Sequence, residues 1–257
     1  MKVVILCGGL GTRLREETEF RPKPMVPVGG RPILWHIMKG YAHHGHKDFI
    51  LCLGYKGEII KDYFRNYHWN TSDVTLRLGR QSKITYHSTH DEEDWTVTMI
   101  DTGLETQTGG RLLRALRFID DEDFLMTYGD GLTNSDINAS IRFHKEQGAV
   151  ATLTAVHPMG RFGGLTIEGP TVTNFQEKPE KEMHLINGGF LVLKKSIARY
   201  LDAERCVFER QPMEELTRTG QLKAYVHTGF WQCMDTFREM ELLNQMWRDG
   251  QAPWKVW

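Results

Sequence analysis

With 257 residues and 32 basic against 33 acidic side chains, a net charge of −1, the chain has the length of one large domain and no overall electrostatic pull toward nucleic acid or anionic lipid. A chain of this size can bury a full hydrophobic core without disulfide or metal support, and its four cysteines (Cys7, Cys52, Cys206, Cys233) form no C-x-x-C pair, which fits a reducing compartment. No apolar run reaches the roughly 18 residues of a membrane span, and the short one at the N-terminus is no signal segment. The expectation is a cytoplasmic protein with neither membrane nor nucleic acid as partner.

In chain order, Val3–Cys7 reads as a short buried strand closed by Gly8-Gly9. Pro32–His44 has helical apolar spacing at Ile33, Leu34, Ile37, Met38 and Tyr41. Asp48–Leu53 is a second apolar strand, and Glu58–Asn66 a second helix. Val74–Tyr86 and Thr96–Asp101 suggest extended pieces of a mixed sheet. A helix over Gly110–Ile119, a strand at Asp123–Tyr128, a helix over Asp136–Gln147 and a strand at Val150–Val156 continue the alternation. Gly188–Leu193 and Leu222–His227 are the late strands, Ile197–Leu201 a short helix, and Phe237–Asp249 a closing helix stopped by Gly250 and Pro253. Strands alternating with helices predict an α/β fold whose central sheet is mixed but mostly parallel and flanked by helices. No repeat or linker divides the chain, so residues 1–257 are read as a single domain.

Gly8-Gly9-Leu10-Gly11-Thr12-Arg13-Leu14 directly follows the first strand. Glycines let a backbone approach a phosphate, and successive free amides make an anion nest. There is no Gly-Lys-Ser/Thr ending, so this is not a P-loop; Leu14 stands where a dinucleotide fingerprint needs its third glycine. What remains is a turn that presents a threonine hydroxyl and an arginine able to fork onto phosphate oxygens. An ordinary tight turn with a solvated arginine is the competing reading. Ten positions on, Pro22 and Pro24 hold Lys23 in an extended segment, a point charge for a polyphosphate or a solvated loop lysine.

G-G-x-G-T-R-L followed by P-K-P-M resembles the N-terminal signature of the sugar-1-phosphate nucleotidyltransferases. The resemblance implies a Rossmann-like nucleotidyltransferase core in which Gly8, Gly9, Gly11, Thr12, Arg13 and Lys23 hold a nucleoside triphosphate. The strand ends beside them join the same site: Leu6 and Gly129 go with the nucleotide and Tyr128 with the sugar phosphate. Residues 1–135 then form mainly the nucleotide half and 136–257 mainly the sugar-phosphate half.

Nucleotidyl transfer needs charge neutralised at the α-phosphate, and Mg²⁺ takes one or two carboxylates together with phosphates and water. Asp130 follows a strand between two glycines, where ligands of open α/β sheets sit, although an Asp-Gly turn is the plainer reading. Asp235 alone would be the N-cap of the closing helix. The resemblance assigns both to Mg²⁺, since the family carries metal aspartates at a G-D strand end and in a late W-x-x-x-D-T segment, here Trp231–Thr236. It also assigns Lys178 of Glu177-Lys178-Pro179 to the sugar phosphate, Glu177 to sugar hydroxyls, and Asn187 with Gly188 to the sugar. Arg13, Lys23 and Lys178 are the expected catalytic cations. His43-His44-x-His46 lacks carboxylate or cysteine company and reads as solvated loop histidines.

Thr106–Arg111 precedes a predicted helix. The amides of Gly109 and Gly110 are placed to read a base edge, with Thr108 beside them and Arg111 as a donor to a base carbonyl; a plain helix start with an exposed arginine is the alternative. The T-G-G-R-L form, with G-R-F-G at 160–163, F-Q-E-K-P at 175–179, I-N-G-G-F at 186–190, G-F-W-Q-x-M-D-T at 229–236 and A-P-W-K-x-W at 252–257, resembles the cytidylyl-transferring members of the family. That implies CTP and α-D-glucose 1-phosphate as substrates, CDP-glucose and pyrophosphate as products, a route toward lipopolysaccharide or other surface polysaccharide, and a homo-oligomer. Another sugar 1-phosphate, or dTTP or UTP, is the alternative within enzymes. A non-catalytic regulatory module is the alternative outside them, and it conflicts with the retention of the arginine, the lysines and the carboxylates.

Overall fold

The computed structural model describes residues 1–80, 82–87, 94–158, 164–168, 171–176, 184–202 and 205–257. Eight strands form the central sheet: β1 (Lys2–Leu6), β2 (Asp48–Leu53), β3 (Thr96–Asp101), β4 (Asp123–Tyr128), β5 (Ala151–Val156), β6 (Ile186–Asn187), β7 (Leu191–Lys194) and β8 (Leu222–His227). β1 lies between β2 and β4, parallel to both, with Lys2 opposite Asp48 and Val3 opposite Leu125. β3 extends the parallel run beyond β2. β7 turns antiparallel on β4, β5 is antiparallel to β7, and β8 runs parallel to β5.

The register settles the far edge. Ala151 pairs with both Leu193 and Leu222, and Val156 with both Ile186 and His227. A strand has only two edges, so β6 and β7 share one edge of β5 while β8 closes the sheet on the other. β6 and β7 are thus one strand interrupted at Gly188–Phe190, where φ reaches 75° at Gly189 and 49° at Phe190. The expected strand over Gly188–Leu193 begins only at Leu191 for that reason, because left-handed backbone cannot hold a ladder.

Alternate residues of β1 face opposite ways. Val3 and Ile5 pack with α1 (Ile33–His43) through Leu34 and Tyr41 and with α2 (Gly57–Arg65) through Ile60, and Val4 and Leu6 pack with α3 (Thr108–Ala115) through Leu112 and Ala115. Both faces are covered, which is why β1, β2 and β4 read as unbroken apolar runs rather than alternating ones. α4 (Ile137–Gln147) starts on Asp136, whose carboxylate accepts from the Ala139 amide. α5 (Gln211–Arg218) has no counterpart in the sequence reading, although Pro212 in its first turn and Met213 with Leu216 on its buried side are start and face signals. α6 (Phe237–Arg248) is the closing helix.

Two further expectations change. Val74–Arg77 and Lys83–Tyr86 pair with each other in a separate two-stranded sheet and do not join the central one. Alternating extended residues mark a strand, but its partner is a tertiary matter. His46 is buried rather than solvated, with Nε2 3.2 Å from Asn138 Oδ1, while Asn138 also donates to the His44 carbonyl. The C-terminal tryptophans pack into or against the core. Trp254 is 1% exposed, packs against Trp247 and Phe230, and donates from Nε1 to His36 Nδ1 at 3.3 Å. His36 Nε2 lies 2.7 Å from the Val28 carbonyl and so carries the proton. Burial pushes this imidazole down to about 4, holding it neutral. No helix among the described residues is long and apolar enough to cross a membrane.

Candidate active site

A cleft of about 540 Å³ opens beyond the carboxyl ends of β1 and β4, lined by the Leu6–Arg13 turn, Lys23, Leu104–Thr108, Arg111, Tyr128–Asp130 and Asp235. In open α/β sheets this end is where ligands sit, because the loops leave the sheet there with their backbone groups unspent.

The turn that floors it is shaped by Gly11. With φ 64° and ψ 31°, this residue begins the turn Thr12–Leu14, and a Cβ would stand 2.7 Å from Thr18 Cγ2. Thr18 Oγ1 donates to the carbonyls of Gly11 (3.0 Å) and Leu14 (2.9 Å), fastening the far side. Leu14 is fully buried, so Thr12 and Arg13 are held facing outward. Lys23 begins a tight helical turn, Lys23–Met25, after an extended Pro22, so it is not in the extended segment expected from the two prolines. A buried Pro24 wedges under Gly129, where a Cβ would meet Pro24 Cγ at 2.7 Å.

Asp130 and Asp235 come together through the backbone. Gly131–Thr133 pairs antiparallel with Trp231–Cys233, and the Met234 amide donates to the Asp130 carbonyl at 2.9 Å. The two carboxylates share one ammonium: Lys23 Nζ lies 2.6 Å from Asp130 Oδ2 and hydrogen-bonds Asp235 Oδ1. Arg13 Nη1 reaches Asp235 Oδ2 at 2.6 Å from the open side. Burial by itself would lower the Lys23 pKa, but the charge and hydrogen bonds of the two aspartates outweigh it and hold the ammonium above its ordinary range. The Asp235 amide donates to Glu239 Oε2 at 2.7 Å, and Thr236 with Glu239 forms a capping box. The N-cap of α6 is therefore Thr236, not Asp235, and Asp235 lines the cleft.

Two hard oxygen donors converging on a single cation position suit a divalent ion that completes its shell with phosphate and water. The described residues hold no group of three or more histidines, cysteines, aspartates or glutamates that would cage a metal alone. Burial and then the neighbouring carboxylates push the Cys233 thiol, two residues before Asp235, up to about 12.

The Thr108–Arg111 segment is organised differently from expectation. The amides of Gly109 and Gly110 donate to the Cys206 carbonyl at 2.9 and 3.3 Å, and neither glycine lines the cleft. They are first-turn amides of α3, which have no partner inside the helix, and a distant carbonyl satisfies them. A Cβ on Gly109 would meet Cys206 Sγ at 2.6 Å, so the glycine serves close packing. Arg111 is 4% exposed. Its Nη1 donates to the Leu53 carbonyl (3.0 Å) and Thr102 Oγ1 (2.6 Å), and its Nη2 to the carbonyls of Gly8 (3.1 Å) and Leu104 (3.2 Å). The guanidinium braces both lips of the cleft from beneath, and a Cβ on Gly8 would fall 2.0 Å from its Nη1.

Next to Leu6 in the sheet, Tyr128 ends β4 and bonds the Asn187 side chain; Asn187 Oδ1 accepts from the Gly189 amide at 3.0 Å. The Gly188 carbonyl accepts from Trp231 Nε1 at 2.7 Å, tying the break between β6 and β7 to the Asp235 segment. Glu177 and Lys178 lie outside the described residues. Sequence reasoning missed Glu209, which accepts from the hydroxyls of Thr108 (2.6 Å) and Tyr128 (2.5 Å). No motif announces it.

The chain is 52% identical over 258 residues, all of both proteins, to the glucose-1-phosphate cytidylyltransferase of Salmonella typhi. It is 33% identical over 198 residues, 77% of each, to the D-glycero-alpha-D-manno-heptose 1-phosphate guanylyltransferase of Campylobacter jejuni. Its fold is similar to the crystal structure of HddC from Yersinia pseudotuberculosis, with a TM-score of 0.70 at 25% identity, covering 96% of this chain and 99% of that one. The family model described as nucleotidyl transferase matches residues 2–249, a span that takes in the glycine turn, the shared lysine and both aspartates. By sequence and by fold, the chain belongs to the nucleotidyl transferase family.

Proposed function

We propose that this protein transfers the cytidylyl group of CTP to α-D-glucose 1-phosphate, forming CDP-glucose and releasing pyrophosphate. The observation that carries the reading is the meeting of Asp130 and Asp235 on the Lys23 ammonium, at the floor of a glycine-lined cleft. The choice of base and sugar rests on the full-length similarity to the Salmonella typhi enzyme.

In this reading a phosphate oxygen of the sugar attacks the α-phosphorus in line, and pyrophosphate departs from the opposite side. No covalent intermediate is needed, so the protein's contribution is positioning and charge stabilisation. Lys23 and Arg13, already turned toward the carboxylates, meet the negative charge of the triphosphate and the leaving group. Asp130 and Asp235 would hold Mg²⁺, which when bound supplies charge neutralisation at the phosphates. Tyr128 and Asn187 face the sugar, and Lys178 steadies its phosphate. The proposal places the nucleotide mainly on residues 1–135 and the sugar phosphate mainly on 136–257. A homo-oligomer in the cytoplasm, serving surface-polysaccharide synthesis, belongs to the same proposal.

A panel of nucleoside triphosphates against sugar 1-phosphates, scored by pyrophosphate release, tests it. CTP with glucose 1-phosphate is the expected best pair, with turnover abolished by EDTA and restored by Mg²⁺. A preference for dTTP or UTP would overturn the base assignment, and silence across the panel would overturn the enzymatic reading.

A further inference from the structure

Glu209 lies just before α5, in a segment that the catalytic reading does not use. Its two carboxylate oxygens are divided between two elements of the cleft. Oε2 accepts from Thr108 Oγ1 at 2.6 Å, and Oε1 accepts from Tyr128 Oη at 2.5 Å. Thr108 Oγ1 in turn accepts from the Phe208 amide at 2.9 Å, so the hydroxyl is held in place while its single proton points to Glu209. Tyr128 also bonds Asn187, and Asn187 holds the Gly189 amide. A single hydrogen-bonded chain therefore runs from the start of α3 through Glu209 to Tyr128 and the break between β6 and β7.

Both ends of that chain line the cleft. Thr108 stands at the start of α3, and Tyr128 at the end of β4, where it pairs with Leu6 of β1. We infer that Glu209 is a positioning residue that couples the nucleotide side of the cleft to the sugar side. It fixes the direction of the Tyr128 hydroxyl and the distance between Thr108 and Tyr128, without itself touching the reacting atoms. Two features support a carboxylate in this role. Hydrogen bonds to a charged acceptor are short and strong compared with neutral ones, and one planar group with two oxygens holds two donors at a fixed separation. Phe208 beside it is fully buried, which anchors the segment to the core so that the carboxylate can act as a strut. This inference rests on the reading of the cleft as a nucleotidyl transfer site.

The test is steady-state kinetics of pyrophosphate release with CTP and glucose 1-phosphate for wild type, Glu209→Ala, Glu209→Gln, Tyr128→Phe and the Glu209→Ala/Tyr128→Phe double variant, each with a thermal melt. Glu209→Ala is expected to raise KM for glucose 1-phosphate about ten- to hundredfold, the scale of a lost charge-assisted hydrogen bond, with kcat changed much less. Glu209→Gln, which keeps the shape and one acceptor, is expected to recover most of that loss. The double variant is expected to be no worse than the more impaired single variant, because both substitutions cut the same link. Glu209 is exposed, so the melting temperature should hold. Unchanged KM in Glu209→Ala, or losses that simply add in the double variant, would overturn the coupling. A wild type inactive with this substrate pair would overturn the functional reading instead, which keeps the two failures distinct.

Discussion

The two glycine-bearing loops beside the cleft look alike in sequence and differ in what their backbones do. In Gly8–Leu14, Gly9 is exposed with open space around its Cα, and the turn holds Thr12 and Arg13 outward. In Thr108–Arg111, the glycine amides are consumed by the Cys206 carbonyl and the arginine is buried beneath the first loop. The lesson is that a glycine before a helix has two uses, access for a ligand or access for another part of the chain. Both remove a Cβ, and only the partner distinguishes them.

Substitutions can sharpen that difference or break it. The largest effect is expected where the first loop meets the carboxylates. Asp235→Asn, which unpairs Arg13 and weakens the shared lysine site, should cut kcat/KM by about a hundred- to a thousandfold with little change in melting temperature. Wild-type turnover in that variant would remove Asp235 from the site. Next comes Arg111→Met, which leaves three carbonyls and the Thr102 hydroxyl in the interior without their donor. A loss of about 3 kcal/mol is expected, or roughly 6–12 °C in Tm for a chain of this length, read by calorimetry. A stable Arg111→Met with altered base preference would instead return the residue to ligand recognition. Gly109→Ala, whose Cβ would press on Cys206, should cost about 1–3 kcal/mol while leaving KM for CTP within about twofold. Gly9→Ala is the mirror case. It should melt as wild type does and raise KM for CTP by about two- to tenfold, as a displaced phosphate contact would. Equal behaviour of the two glycine variants in both assays would erase the contrast.

Much of the fold is legible along the chain. Asp48–Leu53 and Asp123–Tyr128 match their strands end to end, because largely apolar runs closed by glycine leave few other solutions, and Leu222–His227 matches as well. Asp130 is legible as a carboxylate at a strand end, and its meeting with Asp235 follows from the family's spacing of motifs. The local pattern alone leaves Asp235 and Thr236 both eligible to cap the closing helix, and what separates them is the Glu239 amide, which donates to the Thr236 hydroxyl. Glu209 leaves no local trace, because its partners are 101 and 81 residues away.

The sequence by itself determined most of the elements and the covered sheet, because periodicity, glycine and proline act over a few neighbours. Tertiary structure alone decided which donors remain available to a ligand. Whether the amides of Gly109 or the guanidinium of Arg111 face the cleft depends on carbonyls supplied by Cys206, Leu53, Gly8 and Leu104. Hydrogen-bond satisfaction is a property of pairs, and these pairs are made only when distant segments fold against one another.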